Sequence, residues 1–258
     1  MDKKNRSKKN VNVLQSVNNA FRAIEVLTEV EEIGVTHLSQ KLGIGKSTAF
    51  RILTTLEVWG YVKKNEDTSR YRLGMKFADI GAIVLDRLEI VNYARPYLEQ
   101  LTSQFNETSH LGILEDNYNI RFIDKVRGTT MFSMKSLVGG TTPAYCTGMG
   151  KAILANLPSS RIESYLQNVK LERFTPNTIT DKDEFLEELG YIRDRGYSID
   201  NEENELGLTC YGAPIFDSSN TPIAAISVSG STPKMREKKD EMIQGVISAA
   251  RSISQLIK

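Results

Sequence analysis

The sequence is poor in the residues that mark metalloproteins, disulfide-stapled domains and membrane proteins. Its 258 residues include two cysteines, two histidines and one tryptophan. Two thiols, Cys146 and Cys210, do not make a disulfide framework and indicate a reducing compartment. His37 and His110 form no zinc-binding spacing with them. No apolar run reaches the length of a membrane span, and the first ten residues lack the apolar segment of a signal peptide. We therefore expect a cytoplasmic protein with no metal site, no cofactor and no membrane partner.

Charge is divided unevenly along the chain, although the formal net charge is only +1. Residues 1–75 carry thirteen basic and eight acidic side chains, whereas the remainder carries twenty basic and twenty-four acidic ones. A basic N-terminal part followed by an acidic C-terminal part predicts two domains with different partners. Residues 1–12 are predicted to be a disordered basic tail, which either only solubilises the protein or also strengthens contact with a polyanion.

Three helices are predicted before residue 60. Residues 16–30 have apolar positions at helical spacing after Ser16, a candidate N-cap. A short second helix begins near Thr36, a second candidate N-cap, and ends before Gly43, because glycine suits the left-handed conformation that follows a helix. A third helix follows directly. This order of short helix, glycine-containing turn and helix predicts a helix-turn-helix at about residues 35–55.

A β-hairpin is predicted directly after the third helix. The pairs of strand-forming residues around 61–62 and 71–73 flank the turn sequence NEDTS. A hairpin at this place is a wing, so residues 13–74 are interpreted as a winged helix-turn-helix DNA-binding domain. The apolar helical stretch 75–89 lies where the composition changes and is predicted to be a linker helix.

Residues 90–258 alternate between strand and helix patterns, starting with a helix that contains Pro96. Further helices are predicted at 147–157, 159–166, 181–196 and 236–257. Strands are predicted at 109–115, 120–126, 129–137, 197–200, 209–217 and 222–230. Strands with flanking helices are typical of an α+β or α/β sensor-like domain.

The string GIGKSTAFRIL, residues 43–53, contains the Gly-Lys-Ser end of a P-loop. A P-loop needs another glycine five positions before Gly45 and a buried strand ahead of it. Position 40 is Gln40, and a helix is predicted there. A second turn of this kind, residues 148–151, is followed by Ala152 instead of a hydroxyl residue. A nucleotide-triphosphate site is therefore not predicted at either place.

The polar face of the third helix suits DNA. Hydroxyl groups fit phosphates and base edges, arginine pairs bidentately with guanine, and an aromatic ring contacts a thymine methyl group. Lysines at the helix start and in the hairpin suit phosphates or the minor groove. The candidate DNA contacts are Lys46, Ser47, Thr48, Phe50, Arg51, Thr55, Lys63, Lys64 and Arg70. The alternative is a three-helix packing module with a solvated polar face.

A candidate anion site lies in the second domain. In TGMGKAIL, Thr147 is a candidate N-cap residue, and the free N–H groups of the first turn, at Gly148 and Met149, suit a carboxylate. Ser227 and Ser229 alternate on one strand and point to one face. Cys210 and Asp200 lie on neighbouring predicted strands. Spacing alone leaves open whether these polar residues form a site or are ordinary strand residues.

Several ordered segments resemble the IclR family of bacterial transcriptional regulators, from about residue 13 onward. They are SVNNAFRAIEVL, HLSQKLGIGKSTAFRILTTLEVWGYV, YRLG, AYCTGMGKAILANL, RGYSIDNEENELGLTCYGAPIFD and PIAAISVSG. The resemblance implies a winged helix-turn-helix, a linker helix and a GAF-like α/β effector-binding and oligomerisation domain. It also implies dimers, or dimers of dimers, on palindromic operators.

The resemblance further implies which residues contact an effector. They are Gly148, Met149, Asp200, Cys210, Ser227 and Ser229, around a small organic acid or aromatic compound. Met149 stands where small residues are common in the family. The expected function is a DNA-binding regulator, a repressor by the family's commoner role, and not an enzyme. Two alternatives remain open: an enzyme that uses Cys210, with His110 as a possible base, and a DNA-binding protein without an effector.

Overall fold

The computed structural model describes residues 13–129 and 136–257. Contacts divide the chain into two compact units that meet in sequence between Val84 and Leu85. This point lies inside the stretch predicted as a linker. The predicted strand 129–137 falls mostly outside the described residues, as does the predicted tail 1–12. None of the described helices is both long and apolar enough to cross a membrane.

The first unit contains the three predicted helices: α1 (Gln15–Thr28), α2 (Val35–Leu42) and α3 (Lys46–Val58). Their buried faces share one core, which includes Leu27, Leu38 and Leu53. Gly43 has φ of 68° and closes α2, as predicted. The two N-cap predictions were wrong, because Leu14 and Gly34 precede α1 and α2 and neither helix has a side-chain cap.

A short hairpin follows α3. Strand β1 (Val62–Lys64) pairs antiparallel with β2 (Tyr71–Leu73). Tyr71 is 2% exposed, and its N–H and C=O groups both bond to Ile33, each at 2.8 Å. These two bonds and the buried ring fix the hairpin to the helical core. Helix α4 (Lys76–Asp86) comes next and has no buried residue.

The second unit is built on a six-stranded antiparallel sheet. Its strands are β3 (Thr108–Leu114), β4 (Asn119–Val126), β5 (Thr141–Pro143), β6 (Ser198–Asn201), β7 (Leu208–Phe216) and β8 (Pro222–Ser231). Their spatial order is β5-β4-β3-β8-β7-β6. The first and last strand of the domain therefore lie beside each other in its centre as β3 and β8.

Helices cover both faces of this sheet. One core joins it to α5 (Glu89–Phe105) and α10 (Lys239–Leu256), and the other joins it to α6 (Gly148–Leu154), α7 (Ser159–Asn168) and α8 (Lys182–Arg195). Strand β8 shows the division, since Ile226 and Val228 face α10 whereas Ala225 belongs to the α6 side. Alternation along a strand explains this.

One helix differs from the sequence-based expectation. The predicted closing helix is two helices, because α9 (Thr232–Glu237) is separated from α10 at Lys238. Helix α5 contains Pro96, as predicted. Helix α8 is capped at both ends: Asp181 accepts from the N–H groups of Asp183 and Glu184, and Gly196 has φ of 78°.

Candidate DNA-binding and effector-binding sites

The first turn of α3 has no side-chain cap. Gly45 occupies the N-cap position in an extended conformation, so no side chain accepts from the first N–H groups of the helix. Ala49, Ile52 and Leu53 are buried. The predicted contacts of this helix are all exposed: Lys46, Ser47, Thr48, Phe50, Arg51 and Thr55. Uncapped amides at the positive end of the helix dipole, next to a lysine, favour a bound anion.

Two of the predicted DNA-contacting side chains are partly engaged within the protein. Thr55 Oγ1 donates to the carbonyl oxygen of Arg51 at 2.7 Å, so its hydroxyl proton is used inside the helix. Lys64 is half-buried, and its Nζ lies 3.7 Å from a carboxylate oxygen of Glu66. Lys63 and Arg70 are exposed on the hairpin. The exposed hairpin cations are therefore the better candidates for phosphate contacts.

In the second unit, strand register brings the predicted effector residues into two rows. Asp200 pairs with Cys210, and Cys210 pairs with Ser229. The second row lies two residues away on each strand. There, Gly212 pairs with Ser227, and Ser227 pairs with His110. Residues opposite each other in a ladder, or two apart on one strand, share a face of the sheet. All of these side chains are buried, so this part of the face is polar inside an otherwise apolar layer.

Helix α6 begins directly above these rows. A Cβ atom added at Gly212 would lie 2.6 Å from the carbonyl carbon of Gly148, and one added at Gly150 would lie 2.1 Å from the carbonyl oxygen of Ala144. Neither position accepts a side chain without movement. The Ser198 hydroxyl also donates to the carbonyl oxygen of Gly148. The glycine-rich turn is thus held against β7 by close backbone contacts.

The same turn presents two N–H groups. Thr147 is the N-cap residue, as predicted, and its hydroxyl oxygen accepts from Gly150 N–H at 3.2 Å. Lys151 N–H bonds to the carbonyl oxygen of Thr147 at 2.9 Å. Within the described parts of the chain, the N–H groups of Gly148 and Met149 have no acceptor. They are the first-turn groups for which a helix has no internal partner.

Asp200 has an unusual acid–base environment. Its burial, with the charge of Glu203 as a second cause, raises the pKa of Asp200 to about 7. One carboxylate oxygen accepts from the N–H of Glu203 at 2.8 Å. A carboxyl group with this pKa exchanges its proton near neutral pH, so it can donate a hydrogen bond as an acid or accept one as a carboxylate.

A buried ion pair supports the turn that follows Asp200. Lys151 on α6 is 1% exposed and pairs with Glu203, which is 4% exposed. Glu188 on α8 lies 3.8 Å from the same ammonium group. Burial raises the pKa of Glu203, and the ammonium group of Lys151 opposes that shift. Because Glu203 N–H bonds to Asp200, the pair positions the carboxyl group beneath α6. Sequence reasoning gave no sign of this pair, since the partners are fifty-two positions apart.

His110 also belongs to this site, although its strand position alone indicated an ordinary packed side chain. It is fully buried. Its Nδ1 lies 3.5 Å from Ser229 Oγ, and its Nε2 lies 2.8 Å from Ser136 Oγ. Burial, together with the charge of Lys125, lowers the pKa of His110 to about 3. The ring is therefore neutral at physiological pH.

Cys210 does not have the environment of a nucleophile. Burial raises the pKa of its thiol well above 9, and Asp200 adds to the shift. The reactive form of cysteine is the thiolate, and reactive cysteines have lowered pKa values. No group of three or more potential metal ligands occurs among residues 13–129 and 136–257. The environment of Cys210 therefore gives no support to the alternative in which this thiol is a nucleophile.

Two family models match the chain. Residues 16–66 match the family described as IclR helix-turn-helix domain, and residues 82–255 match the one described as Bacterial transcriptional regulator IclR C-terminal. The chain belongs to the IclR family. The family resemblance and the α+β fold class inferred from the sequence are confirmed.

Named relatives agree with this membership. This IclR-family protein is 34% identical over 242 residues to the HTH-type transcriptional regulator KdgR of Escherichia coli (strain K12), covering 93% of this chain and 92% of KdgR. It is 30% identical over 244 residues to the transcriptional repressor IclR of the same strain, covering 93% and 89%. The chain is therefore a transcriptional regulator, and neither alternative, enzyme or effector-independent protein, gains support from its relatives.

Solved structures show the same architecture. The IclR structure from Thermotoga maritima is 35% identical, with a TM-score of 0.82, and the match covers 94% of this chain and 98% of that one. An IclR homologue from Microbacterium hydrocarbonoxydans, crystallised with 4-hydroxybenzoate, is 22% identical with a TM-score of 0.81, and the match covers 93% and 98%. At that identity the second comparison shows the fold alone.

Proposed function

We propose that this IclR-family regulator is a cytoplasmic repressor that binds a palindromic double-stranded operator and responds to a small carboxylate effector. The observation that carries the effector part is the position of the first turn of α6. Its two N–H groups, which have no acceptor among the described residues, lie over a buried polar patch within an apolar core. Relatives named as regulators and as a repressor support the DNA part, and the Microbacterium homologue was crystallised with a carboxylate.

In this proposal the effector carboxylate accepts from the N–H groups of Gly148 and Met149, where the helix dipole adds a favourable charge interaction. The hydroxyl groups of Ser227 and Ser229 complete its hydrogen bonds. Asp200 is protonated when the effector is bound, because a second negative charge nearby favours the neutral form of a carboxyl group. Cys210 contributes a neutral thiol.

For DNA binding, α3 enters the major groove. Arg51 and Phe50 meet base edges, while Lys46 and the first-turn amides meet the phosphate backbone. Lys63, Lys64 and Arg70 of the hairpin hold the neighbouring backbone or minor groove. Release of counterions from the phosphates makes this binding weaken steeply as salt rises.

Self-association is proposed through α4. Ile80, Ile83 and Val84 on this helix are 38%, 53% and 54% exposed, and none of its described residues is buried. An apolar helix that is buried nowhere in its own chain is typical of an interface. A second copy would double the operator contacts and impose two-fold symmetry on the site. Sedimentation of the protein and of an Ile80→Glu, Ile83→Glu variant tests this, and equal masses would contradict it.

The effector proposal is tested by a thermal-shift screen of small carboxylic acids, followed by calorimetry and operator binding with each hit. We expect Ser227→Ala, Ser229→Ala to weaken effector binding at least tenfold and to leave effector-free operator binding unchanged. Ser160→Ala, an exposed hydroxyl on α7, is the matched control. Equal effector affinity in the double variant and the control would remove the pocket assignment.

Regulation requires that the effector bind the two DNA-binding states with different affinity. A carboxylate that binds the pocket but does not change operator affinity would therefore contradict the regulatory part alone. The DNA part has its own test. Arg51→Ala should lose operator preference and keep effector binding, whereas Arg87→Ala, an exposed arginine in the second unit, should change neither.

A further inference from the structure

We propose that Glu32, between α1 and α2, is a positioning residue for DNA binding: it holds the hairpin turn in the conformation that presents Arg70 to a phosphate group. Glu32 itself touches no DNA in this proposal. The inference rests on the proposed phosphate contact of Arg70 and adds the residue on which that contact depends.

The first step is the position of the carboxylate group. Glu32 Oε1 accepts from Asn65 Nδ2 at 2.9 Å, and Glu32 Oε2 accepts from Thr68 Oγ1 at 3.0 Å. Asn65 directly follows β1, and Thr68 lies three residues further along the turn. One carboxylate group therefore joins two places of the turn to the segment between α1 and α2, across thirty-three and thirty-six residues of sequence.

The second step leads from these two side chains to Arg70. The N–H group of Arg70 donates to Thr68 Oγ1 at 3.3 Å, and the carbonyl oxygen of Arg70 accepts from Asn65 N–H at 2.7 Å. The two residues that Glu32 binds are thus the same two that hold the backbone of Arg70. The side chain of Arg70 is exposed and has no ion-pair partner in the described part of the chain, so its guanidinium group is available to a phosphate.

The third step is the conformation of the turn. Ser69, between Thr68 and Arg70, has φ of 54°. Residues other than glycine adopt this left-handed region only at a cost in free energy. Residues 66–70 are all exposed, so no buried side chain anchors the turn. Among the described residues, Glu32 accepts the side-chain hydrogen bonds that join this turn to the helical part of the unit, and we infer that these bonds maintain the strained conformation.

The fourth step is charge, which distinguishes positioning from a simpler role. The hydrogen bond from Asn65 is the largest cause of the lowered pKa of the Glu32 carboxyl group, although desolvation opposes it. The group is therefore a carboxylate at neutral pH. A carboxylate that only offset the positive charge of the hairpin would repel phosphates, and its removal would strengthen DNA binding. A carboxylate that positions Arg70 predicts the opposite sign.

The test measures duplex binding by the full chain at several salt concentrations, with a duplex that the wild-type protein selects from a random-sequence library. Glu32→Ala removes both acceptors. Glu31→Ala is the matched control, because it removes an exposed carboxylate from the neighbouring position. Relative to this control, Glu32→Ala should lower the slope of log K against log salt by about 0.9, the value for one phosphate contact. Counted from 1 M salt, that slope makes binding roughly eightfold weaker at about 0.1 M.

Further variants separate positioning from a general loss of structure. Glu32→Gln keeps an acceptor for Asn65 and a polar group beside Thr68, so it should bind at least as tightly as wild type; a loss equal to that of Glu32→Ala would overturn the proposal. In an Arg70→Ala background, Glu32→Ala should weaken binding no further. Equal weakening in both backgrounds would also overturn it, because Glu32 would then act on the whole unit. Thr68→Val breaks the link to Arg70 at an exposed position. This variant should lose as much affinity as Glu32→Ala, and it serves as the test if Glu32→Ala does not fold.

The outcomes distinguish this inference from the contact on which it rests. Arg70→Ala should by itself weaken duplex binding and lower the salt slope. If it does so and Glu32→Ala behaves like Glu31→Ala, the phosphate contact stands and the role of Glu32 is wrong. If Arg70→Ala binds like wild type, the phosphate contact and this inference fall together.

Discussion

The raised pKa of Asp200 predicts that replacing this residue with asparagine changes how stability depends on pH. The ordinary value for the group is 3.8, and in the folded protein it is about 7. Between these two values the folded state holds a proton that the unfolded state has lost. The free energy of unfolding therefore falls as pH rises through this window and becomes level above about pH 7.

The size of the effect follows from the shift. A pKa raised from 3.8 to about 7 corresponds to about 4 kcal/mol, at about 1.4 kcal/mol for each tenfold change in proton affinity. Only the part between pH 5 and pH 7 lies in a convenient range, and it amounts to about 2–3 kcal/mol. Asp200→Asn should remove this loss, because an amide has no proton to exchange. Relative to wild type, the variant should gain that amount between pH 5 and pH 8.

Urea unfolding at several pH values checks this, with a separate probe for each unit. Trp59, the one tryptophan of the chain, lies in the first unit. Of the ten tyrosines, only Tyr61 and Tyr71 lie before Val84, so near-ultraviolet tyrosine signals report mainly on the second unit. We expect the pH-dependent difference in the tyrosine transition and not in the tryptophan transition.

Asp217→Asn is the matched control. Hydrogen bonds from Ser219 and Thr221 lower the pKa of Asp217. Its stabilising contribution is therefore lost only at acid pH, below the ordinary carboxyl range. Between pH 5 and pH 8 this control should follow wild type. If Asp200→Asn also followed wild type there, the carboxyl group would be ionised throughout, and the argument from its burial would be refuted.

Three further predictions concern the same domain. Gly150→Ala should destabilise the second unit by about 1–3 kcal/mol in urea, since the new Cβ meets the Ala144 carbonyl oxygen. Gly190→Ala on α8 is the control, because a Cβ atom added there has no atom within 4 Å. This substitution should be neutral or stabilise the unit by up to about 1 kcal/mol. Equal changes in stability for Gly150→Ala and Gly190→Ala would contradict the packing argument. His110 should show no imidazole titration by NMR between pH 5 and pH 8, because its pKa is about 3; a midpoint in that range would show that the ring is solvated. The affinity of the protein for the effector carboxylate, measured by calorimetry, should be constant below pH 7 and fall about tenfold per pH unit above it. The reason is that Asp200 must take up a proton when the effector binds. An affinity that does not depend on pH would contradict that uptake.

Most of the first unit could be predicted from the sequence, because its helices and turns are specified by residues a few positions apart. Apolar residues at helical spacing, together with Gly43 after α2, predicted α2, α3 and the turn between them. The face of α3 followed from the same periodicity: Ala49 and Leu53 are buried and Arg51 is exposed. The helix caps were misread, because Ser16 and Thr36 are common cap residues whose side chains are not used in that role.

The structure of the second unit could be predicted from the sequence only in part. The turn TGMGK and the alternation of Ser227 and Ser229 predicted a helix start and a shared strand face. The roles of these residues in effector binding came from the family resemblance and stay proposals. The periodicity of β3 did not distinguish His110 from any other inward-facing residue.

The sequence by itself determined the order of the main helices and strands, the buried face of α3 and the glycine that ends α2. These properties depend on residues a few positions apart, which contact each other in any helix or strand of that pattern. The tertiary structure alone decided the neighbours. It placed β3 beside β8, and so His110 beside Ser227, and it paired Lys151 with Glu203 beneath the first turn of α6. Such contacts depend on sheet order and register, which the whole core selects together, and no local pattern records them.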